Sequence, residues 1–107
     1  MSDITKDFTH TVFFWLKNPE DSGLRAKFET AIKQFLNDSL YAKSSHVGTP
    51  AVAERDVIDS SYTYSLLVTF PSKAEHDKYQ VEEAHQVFIE TCKDLWERVL
   101  VYDSEAV

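Results

Sequence analysis

The sequence predicts a single α+β domain with the element order β-α-β-β-α-β. Alternating and helical apolar patterns follow one another in that order along the chain. The two glycines and three prolines fall between these patterns rather than inside them. With 107 residues, of which 43% are hydrophobic, the chain can build one core but not two, so we expect one domain over residues 1–107.

The first predicted strand covers Phe8 to Leu16. One face carries a histidine among apolar side chains: Phe8, His10, Val12, Phe14 and Leu16. The other face begins with Thr9 and Thr11 but ends with Phe13 and Trp15. Because both faces are apolar at one end, each of them must be covered by another layer.

The first helix is predicted over Leu24 to Leu40, where apolar residues recur at three- and four-residue spacing. Asp21 and Ser22 precede it as candidate N-caps. A weaker strand pattern covers Ala42 to Val47, and residues 49–59 are expected to form an irregular connection.

The second half of the chain repeats the order. A strongly alternating strand is predicted over Tyr62 to Phe70 and is stopped by Pro71. Residues 72–75 match the capping box S-x-x-E, which predicts the start of a short helix. A longer helix is predicted from an apolar stripe with helical spacing: Ala84, Phe88, Cys92, Leu95 and Val99. The last predicted strand runs from Val99 to Tyr102.

This order corresponds to the ferredoxin-like arrangement, a four-stranded antiparallel sheet with two helices on one face. The opposite face would be bare, yet it carries Phe13, Trp15 and Leu67. An apolar sheet face on a small domain indicates an interface, and two such sheets can pack face to face. We therefore expect a homodimer with these three residues in the interface.

Charge and composition narrow the range of partners. Eleven Lys and Arg against 18 Asp and Glu give a net charge of −7, which disfavours nucleic acid and anionic membranes as partners. No apolar stretch approaches the roughly 20 residues of a membrane span, and the N-terminus lacks the pattern of a signal peptide. The single cysteine cannot form an internal disulfide. A cytoplasmic location is expected.

Four stretches resemble a known family when they are taken in order. They are His10 to Lys17, Tyr62 to Phe70 with Ser72 and Glu75, Lys78 to Phe88, and Leu95 to Asp103. Together they resemble the stress-responsive dimeric α/β-barrel (Dabb) domain over about Thr9 to Asp103. The resemblance implies the ferredoxin-like fold and a homodimer, a dimeric α/β barrel, in which two sheets enclose a central space.

Within that family, the segment around Ala84-His85 is similar to members of the olivetolic acid cyclase type. That similarity implies Tyr79 and His85 as a catalytic pair, as in an intramolecular aldol condensation, with His10 nearby. The chain departs from those members at Tyr64, where they carry His, and at Glu83, where Pro is common. The similarity therefore supports a shared pocket rather than a shared substrate.

The residue types agree with such a site. A neutral histidine can accept a proton near physiological pH, and a tyrosine hydroxyl can hold a substrate oxygen. Seven further side chains are candidates for the wall of a ligand pocket: His10, Val12, Phe28, Tyr64, Leu66, Phe88 and Trp96. The alternative is that Tyr79 and His85 only hydrogen-bond each other and close the barrel mouth.

Three functions remain open at this stage. The leading hypothesis is a homodimer with an internal apolar pocket for a small apolar or aromatic ligand, with a role in stress. The second is a cofactor-free cyclase, isomerase or oxygenase that uses the Tyr79 and His85 pair, and the third is a structural, stress-protective dimer without a pocket. We expect no cofactor and no metal, because the Glu82-x-x-His85 motif occurs once and neither His46 nor His76 has a ligand-spaced partner.

Overall fold

The computed structural model describes residues 1–107, with four strands, three α-helices and one short 3-10 helix. The elements are β1 (Phe8–Leu16), α1 (Ser22–Asp38), β2 (Ser44–Gly48), β3 (Tyr64–Phe70), α2 (Lys73–Val81), α3 (Glu83–Cys92) and β4 (Trp96–Ser104). The 3-10 helix, Lys93–Leu95, joins α3 to β4. None of the helices has the length and apolar character needed to cross a membrane.

The four strands form one antiparallel sheet in the order β2-β3-β1-β4, so the predicted ferredoxin-like fold is confirmed. β1 is central and has the predicted bounds. Its register places His10 opposite Val68 on one side and opposite Asp103 on the other. The pairing with β4 therefore brings the C-terminal end of the chain beside the first strand.

The core lies between the sheet and the three helices. Along β1 and β3, buried residues alternate with less buried ones, as expected for a sheet that is covered by helices on one side only. Aromatic rings supply much of the contact with the helices, as in the pairs Phe28–Tyr64 at 4.6 Å and Phe35–Phe88 at 5.1 Å between ring centres. Each helix contributes to this core: Phe28, Ile32, Phe35, Tyr79, Phe88 and Cys92 are buried.

The bounds of α1 differ from the prediction at both ends. The Asp21 side chain accepts a hydrogen bond from Leu24 N at 3.0 Å, so the helix begins at Ser22 rather than at Leu24. It ends at Asp38 rather than at Leu40, because Ser39 is already extended.

Two strands are also shifted. β2 covers Ser44–Gly48 instead of residues 42–47. β3 begins at Tyr64 rather than at Tyr62. Thr63 donates its N–H to Phe14 O at 2.8 Å, and its hydroxyl accepts a bond from Leu16 N at 3.0 Å.

The largest error concerns the last helix, which was predicted to continue to Val99. It ends at Cys92, and the chain enters β4 at Trp96. Trp96 pairs with Leu16 and Val99 pairs with Phe14, so both occupy strand positions that face the core side of the sheet. The β-branched run that follows favours a strand, and this preference overrides the four-residue spacing. The predicted final strand is correspondingly too short.

The capping box is only partly formed. Ser72 is the N-cap of α2, but its hydroxyl donates to the Glu75 carboxylate and makes no bond to the helix backbone.

The second face of the sheet has no helix over it. Phe13 packs between Tyr62 and Tyr102, with ring centres 4.9 Å and 6.5 Å away. The Arg98 guanidinium lies 4.5 Å from the centre of the Trp15 ring. Leu67 on β3 is 39% exposed. An aromatic and aliphatic surface thus remains open on the single chain; we call it the outer sheet face.

Candidate functional site

Tyr79 and His85 come from two helices that meet at Glu82. Glu82 has an extended backbone, which ends α2 and starts α3. This break lets Tyr79, in the last turn of α2, and His85, in the first turn of α3, approach each other. Their ring centres are 5.7 Å apart in an edge-to-face contact. Tyr79 therefore lies within a helix and not on a connecting segment.

Two further rings complete the surroundings of this pair. His10 on β1 lies 5.7 Å from Tyr79, again edge to face. Phe35 on α1 lies 5.1 Å from Tyr79 and 5.5 Å from His85. The structure therefore brings together three of the side chains that the sequence singled out, in the order His10, Tyr79, His85.

Burial sets the protonation of the pair. It raises the pKa of the Tyr79 phenol, and the nearby Glu82 carboxylate acts in the same direction. Burial also lowers the pKa of His85, with charge on His10 adding to this effect and Glu82 opposing it. Near neutral pH the site therefore contains an un-ionised phenol beside a neutral imidazole. Such an imidazole can accept a proton from a bound molecule, and the phenol can donate a hydrogen bond.

His10 has a second partner that the sequence analysis missed. Its Nδ1 lies 2.6 Å from Oδ1 of Asp103, directly across the β1–β4 ladder. Because a carboxylate only accepts, Nδ1–H is the donor. Burial lowers the pKa of His10, and the hydrogen bond with Asp103 opposes that change. The signal that could have revealed Asp103 is the register of β4, which the shortened strand prediction did not give.

His76 is also part of this cluster, although its sequence neighbours gave no sign of it. It is buried on α2, with its ring centre 4.9 Å from that of His10. Its Nε2 lies 3.7 Å from Oδ2 of Asp103, and its Nδ1 lies 3.3 Å from Oδ1 of Asp77. Two histidines thus face one carboxylate.

The remaining candidate pocket residues belong to the packed layer between sheet and helices. Five of them are buried and contribute to the core: Val12, Phe28, Tyr64, Leu66 and Phe88. Trp96 packs against the core from β4, and its buried Nε1 has no hydrogen-bond partner.

An open groove of about 860 Å³ runs between α1 and α3. Small side chains on both helices keep it open: Gly23, Ala26, Thr30, Ala31, Ala84 and Thr91. Phe35 and Phe88 contribute aromatic surface, and Phe88 alone among the predicted pocket residues lines it. No motif in the sequence predicts this groove, because it follows from the relative placement of the two helices.

Glu82 closes one end of the groove. Its carboxylate accepts a hydrogen bond from the Ser39 hydroxyl at 2.6 Å and from Leu40 N at 2.9 Å. These bonds join the junction of α2 and α3 to the end of α1. The carboxylate thereby accepts the Leu40 N–H, which lies beyond the end of α1 and has no backbone acceptor.

Several solved structures have folds similar to that of this chain. A Dabb family protein with a ferredoxin-like fold from Mesorhizobium loti is similar, with a TM-score of 0.78 and 20% identity, covering 96% of this chain and 99% of that one. Hydroxynitrile lyase from Passiflora edulis has a TM-score of 0.76 and 19% identity, covering 95% and 94%. A dimeric ferredoxin-like protein of unknown function from Thermobifida fusca has a TM-score of 0.75 and 10% identity, covering 94% and 91%.

At these identities the structural likeness shows the fold alone. A search of curated protein sequences finds no match to this chain. The family comparison is decisive for membership, because the model of the stress responsive A/B barrel domain matches residues 8–106, nearly the whole chain. This chain belongs to the Dabb, or stress responsive A/B barrel, family.

Proposed function

We propose that this protein is a homodimer that binds a small organic molecule in the groove between α1 and α3. The observation that carries the proposal is the position of Phe35. Its ring lines the groove and also contacts both Tyr79 and His85. Tyr79 and His85 do not themselves line the groove, so a ligand lying on Phe35 would reach the phenol and imidazole, which can hold a carbonyl or hydroxyl group, only when the Phe35 side chain turns aside.

The size and lining of the groove agree with this use. Ligand sites are concave, mostly apolar and commonly about 300–1,000 Å³ in volume. Here an apolar floor is bordered by polar side chains on the two helices. Three carboxylates stand at the border, those of Asp38, Glu82 and Glu83, against one ammonium group, that of Lys27. This balance favours a neutral ligand over an anionic one.

The dimer is proposed on the basis of the outer sheet face. Phe13, Trp15 and Leu67 are left without a covering layer in the single chain, and solved proteins of this fold from two bacteria are described as dimeric. Packing two such faces together would form the barrel that gives the family its description. The cytoplasmic location and the stress-related role expected from the sequence remain part of this proposal.

A second candidate function is catalysis by Tyr79 and His85. It is favoured by the lowered pKa of His85, which keeps the imidazole available as a base beside a phenol that stays protonated. The reaction class would be proton abstraction next to a carbonyl, as in cyclisation or isomerisation. That a hydroxynitrile lyase has this fold supports the idea that the fold can host an enzyme.

Binding in the groove can be tested with Nile red, a neutral fluorescent probe. We expect saturable binding that Thr30→Phe weakens by more than about tenfold, because the new ring fills the groove. Lys33→Phe is the matched control, since Lys33 is exposed on the same helix but outside the groove. Equal binding by both variants would contradict the location. Loss of all binding by the control would do the same.

The role of the Tyr79–His85 pair requires a separate test. Native mass spectrometry of the purified protein would identify a retained ligand. Tyr79→Phe and His85→Ala should then reduce its occupancy or turnover with little change in melting temperature. If the pair is structural, as in a dimer without a site, the variants should instead lose about 1–3 kcal/mol of stability while binding is unchanged.

A further inference from the structure

Three donor side chains from three elements converge beside the first strand. His10 lies on β1, His76 on α2 and Asp103 on β4. One ligand atom from each lies within 4.8 Å of the other two. His10 Nδ1 is 2.6 Å from one oxygen of Asp103, and His76 Nε2 is 3.7 Å from the other. Each imidazole therefore has one nitrogen near an oxygen of the same carboxylate.

The two histidines are held firmly, while the carboxylate is accessible. His10 and His76 are 5% and 7% exposed. The His76 ring packs on Phe8 and Phe70, with ring centres 4.7 Å and 5.5 Å away. The Asp103 side chain is 38% exposed. An ion could thus approach from the Asp103 side and meet two preoriented nitrogens against an apolar wall.

Hydrogen bonding around His76 places the electron pair on the nitrogen nearest Asp103, where a bound ion would displace the Gln80 amide. Nδ1 lies 3.3 Å from Oδ1 of Asp77, which as a carboxylate must accept, so Nδ1 carries the proton. Nε2 is then the acceptor, and the Gln80 amide nitrogen lies 3.2 Å from it as a donor. Metal-bound histidines characteristically donate their other ring N–H to a carboxylate or carbonyl in this way.

We propose that His10, His76 and Asp103 form a binding site for a divalent transition-metal ion, with Zn²⁺ as the ion that the donor set fits best. Two imidazoles and one carboxylate are ligands of zinc sites that keep a fourth position open. Mg²⁺ and Ca²⁺ prefer oxygen donors throughout. On binding, the ion replaces the proton between His10 Nδ1 and Asp103, and the His10 proton resides on Nε2, so the imidazole stays neutral.

Binding of an ion requires the three side chains to adjust. Zn–N and Zn–O bonds of about 2.0–2.2 Å place donor atoms roughly 3.3 Å apart in a tetrahedral arrangement. The separations of 2.6 Å and 3.7 Å bracket that value. Rotation of the half-exposed Asp103 side chain can correct both separations, and the His10 and His76 nitrogens, which lie within 4.8 Å of each other, close on the ion by a shift of the imidazoles. This proposal does not depend on the groove or on the proposed ligand, and it replaces the expectation of no metal that the isolated position of His76 suggested.

Cobalt(II) is the probe for the test, because its visible absorption reports tetrahedral nitrogen and oxygen ligation. Protein without a histidine tag should bind one Co²⁺ per chain, and Zn²⁺ should displace it. His76→Phe, which retains an aromatic ring, and Asp103→Asn should each weaken binding by more than about tenfold. His46→Gln, an exposed histidine on β2, is the matched control and should bind normally.

A second readout is stability. Zn²⁺ should raise the melting temperature of the parent protein and of His46→Gln but not that of Asp103→Asn, since an ion that binds only the folded chain stabilises it. Because Asp103 is half-exposed at the sheet edge, this variant keeps the test valid even if His76→Phe does not fold. The proposal is overturned if the parent binds no stoichiometric Co²⁺, or if binding survives in Asp103→Asn.

Discussion

The Tyr64 hydroxyl donates a hydrogen bond of 2.5 Å to Oε2 of Glu29 and so joins β3 to α1. The ring lies between Phe28, whose centre is 4.6 Å away, and the Arg25 guanidinium at 4.9 Å. Burial together with Glu29 raises the pKa of Tyr64 to about 12. The Tyr64 hydroxyl therefore takes part in the contact between α1 and the sheet.

The Tyr64–Glu29 bond can be measured by a double-mutant cycle. Tyr64→Phe should lower the free energy of unfolding by about 0.5–1.5 kcal/mol, because it removes the hydrogen bond but keeps the stacked ring. Once Glu29 has been changed to Ala, the same substitution should cost much less. Urea denaturation of the four proteins gives the coupling energy. A coupling energy of zero would show that the two groups do not interact in solution.

Trp15→Asp should convert the dimer into monomers, because it would place an unpaired charge in the interface on the outer sheet face. Light scattering of the parent and the variant at equal concentration measures this change. Val52→Asp is the control, since Val52 is fully exposed in a connecting segment. A parent protein that is already monomeric would refute the proposed assembly.

Phe88→Ala should lower the free energy of unfolding by about 3–5 kcal/mol. The Phe88 ring is buried against Phe14, Phe28 and Phe35, with ring centres 5.1–6.2 Å away, so its removal leaves a cavity. Val87→Ala, one position along α3 but 58% exposed, should cost far less. Denaturation midpoints of equal value for the two variants would be incompatible with this packing.

Acidification should destabilise the protein through His85. The folded chain lowers the pKa of His85 below the ordinary 6.5, whereas the unfolded chain takes up a proton at that value. Below about pH 6.5 the unfolded state therefore binds more protons, and the free energy of unfolding falls as pH falls. Urea denaturation between about pH 7.5 and about pH 5.5 measures the slope. His85→Gln should reduce the slope relative to His46→Gln; an unchanged slope would exclude His85 as its source.

Much of the fold is predictable from the sequence because its signals are local. The alternation of apolar and polar residues predicts the bounds of β1 correctly, because successive side chains along a strand point to opposite faces of the sheet. The end of α3 was not predictable in this way. Leu95 and Val99 continue a helical spacing by chance, and only the pairing of Val99 with Phe14 shows that this part of the chain is a strand.

The candidate site is less predictable, because its members come from distant parts of the chain. Tyr79 and His85 are six positions apart across a helix break, so their association could be expected. That of His76 with Asp103 depends on how α2 lies over the β1–β4 pair, which no sequence pattern records. The direction of the Tyr64 hydroxyl, towards Glu29, is likewise a property of the packed structure.

The two hydrogen bonds that Glu82 accepts from Ser39 and Leu40 also determine how the molecule opens locally. The last turn of α1 and the junction of α2 with α3 are far apart in the sequence but share one carboxylate. Fraying at either place breaks these two bonds, so we expect the amides of the two regions to exchange with deuterium together. The border of the groove at that end would then open and re-form as one piece.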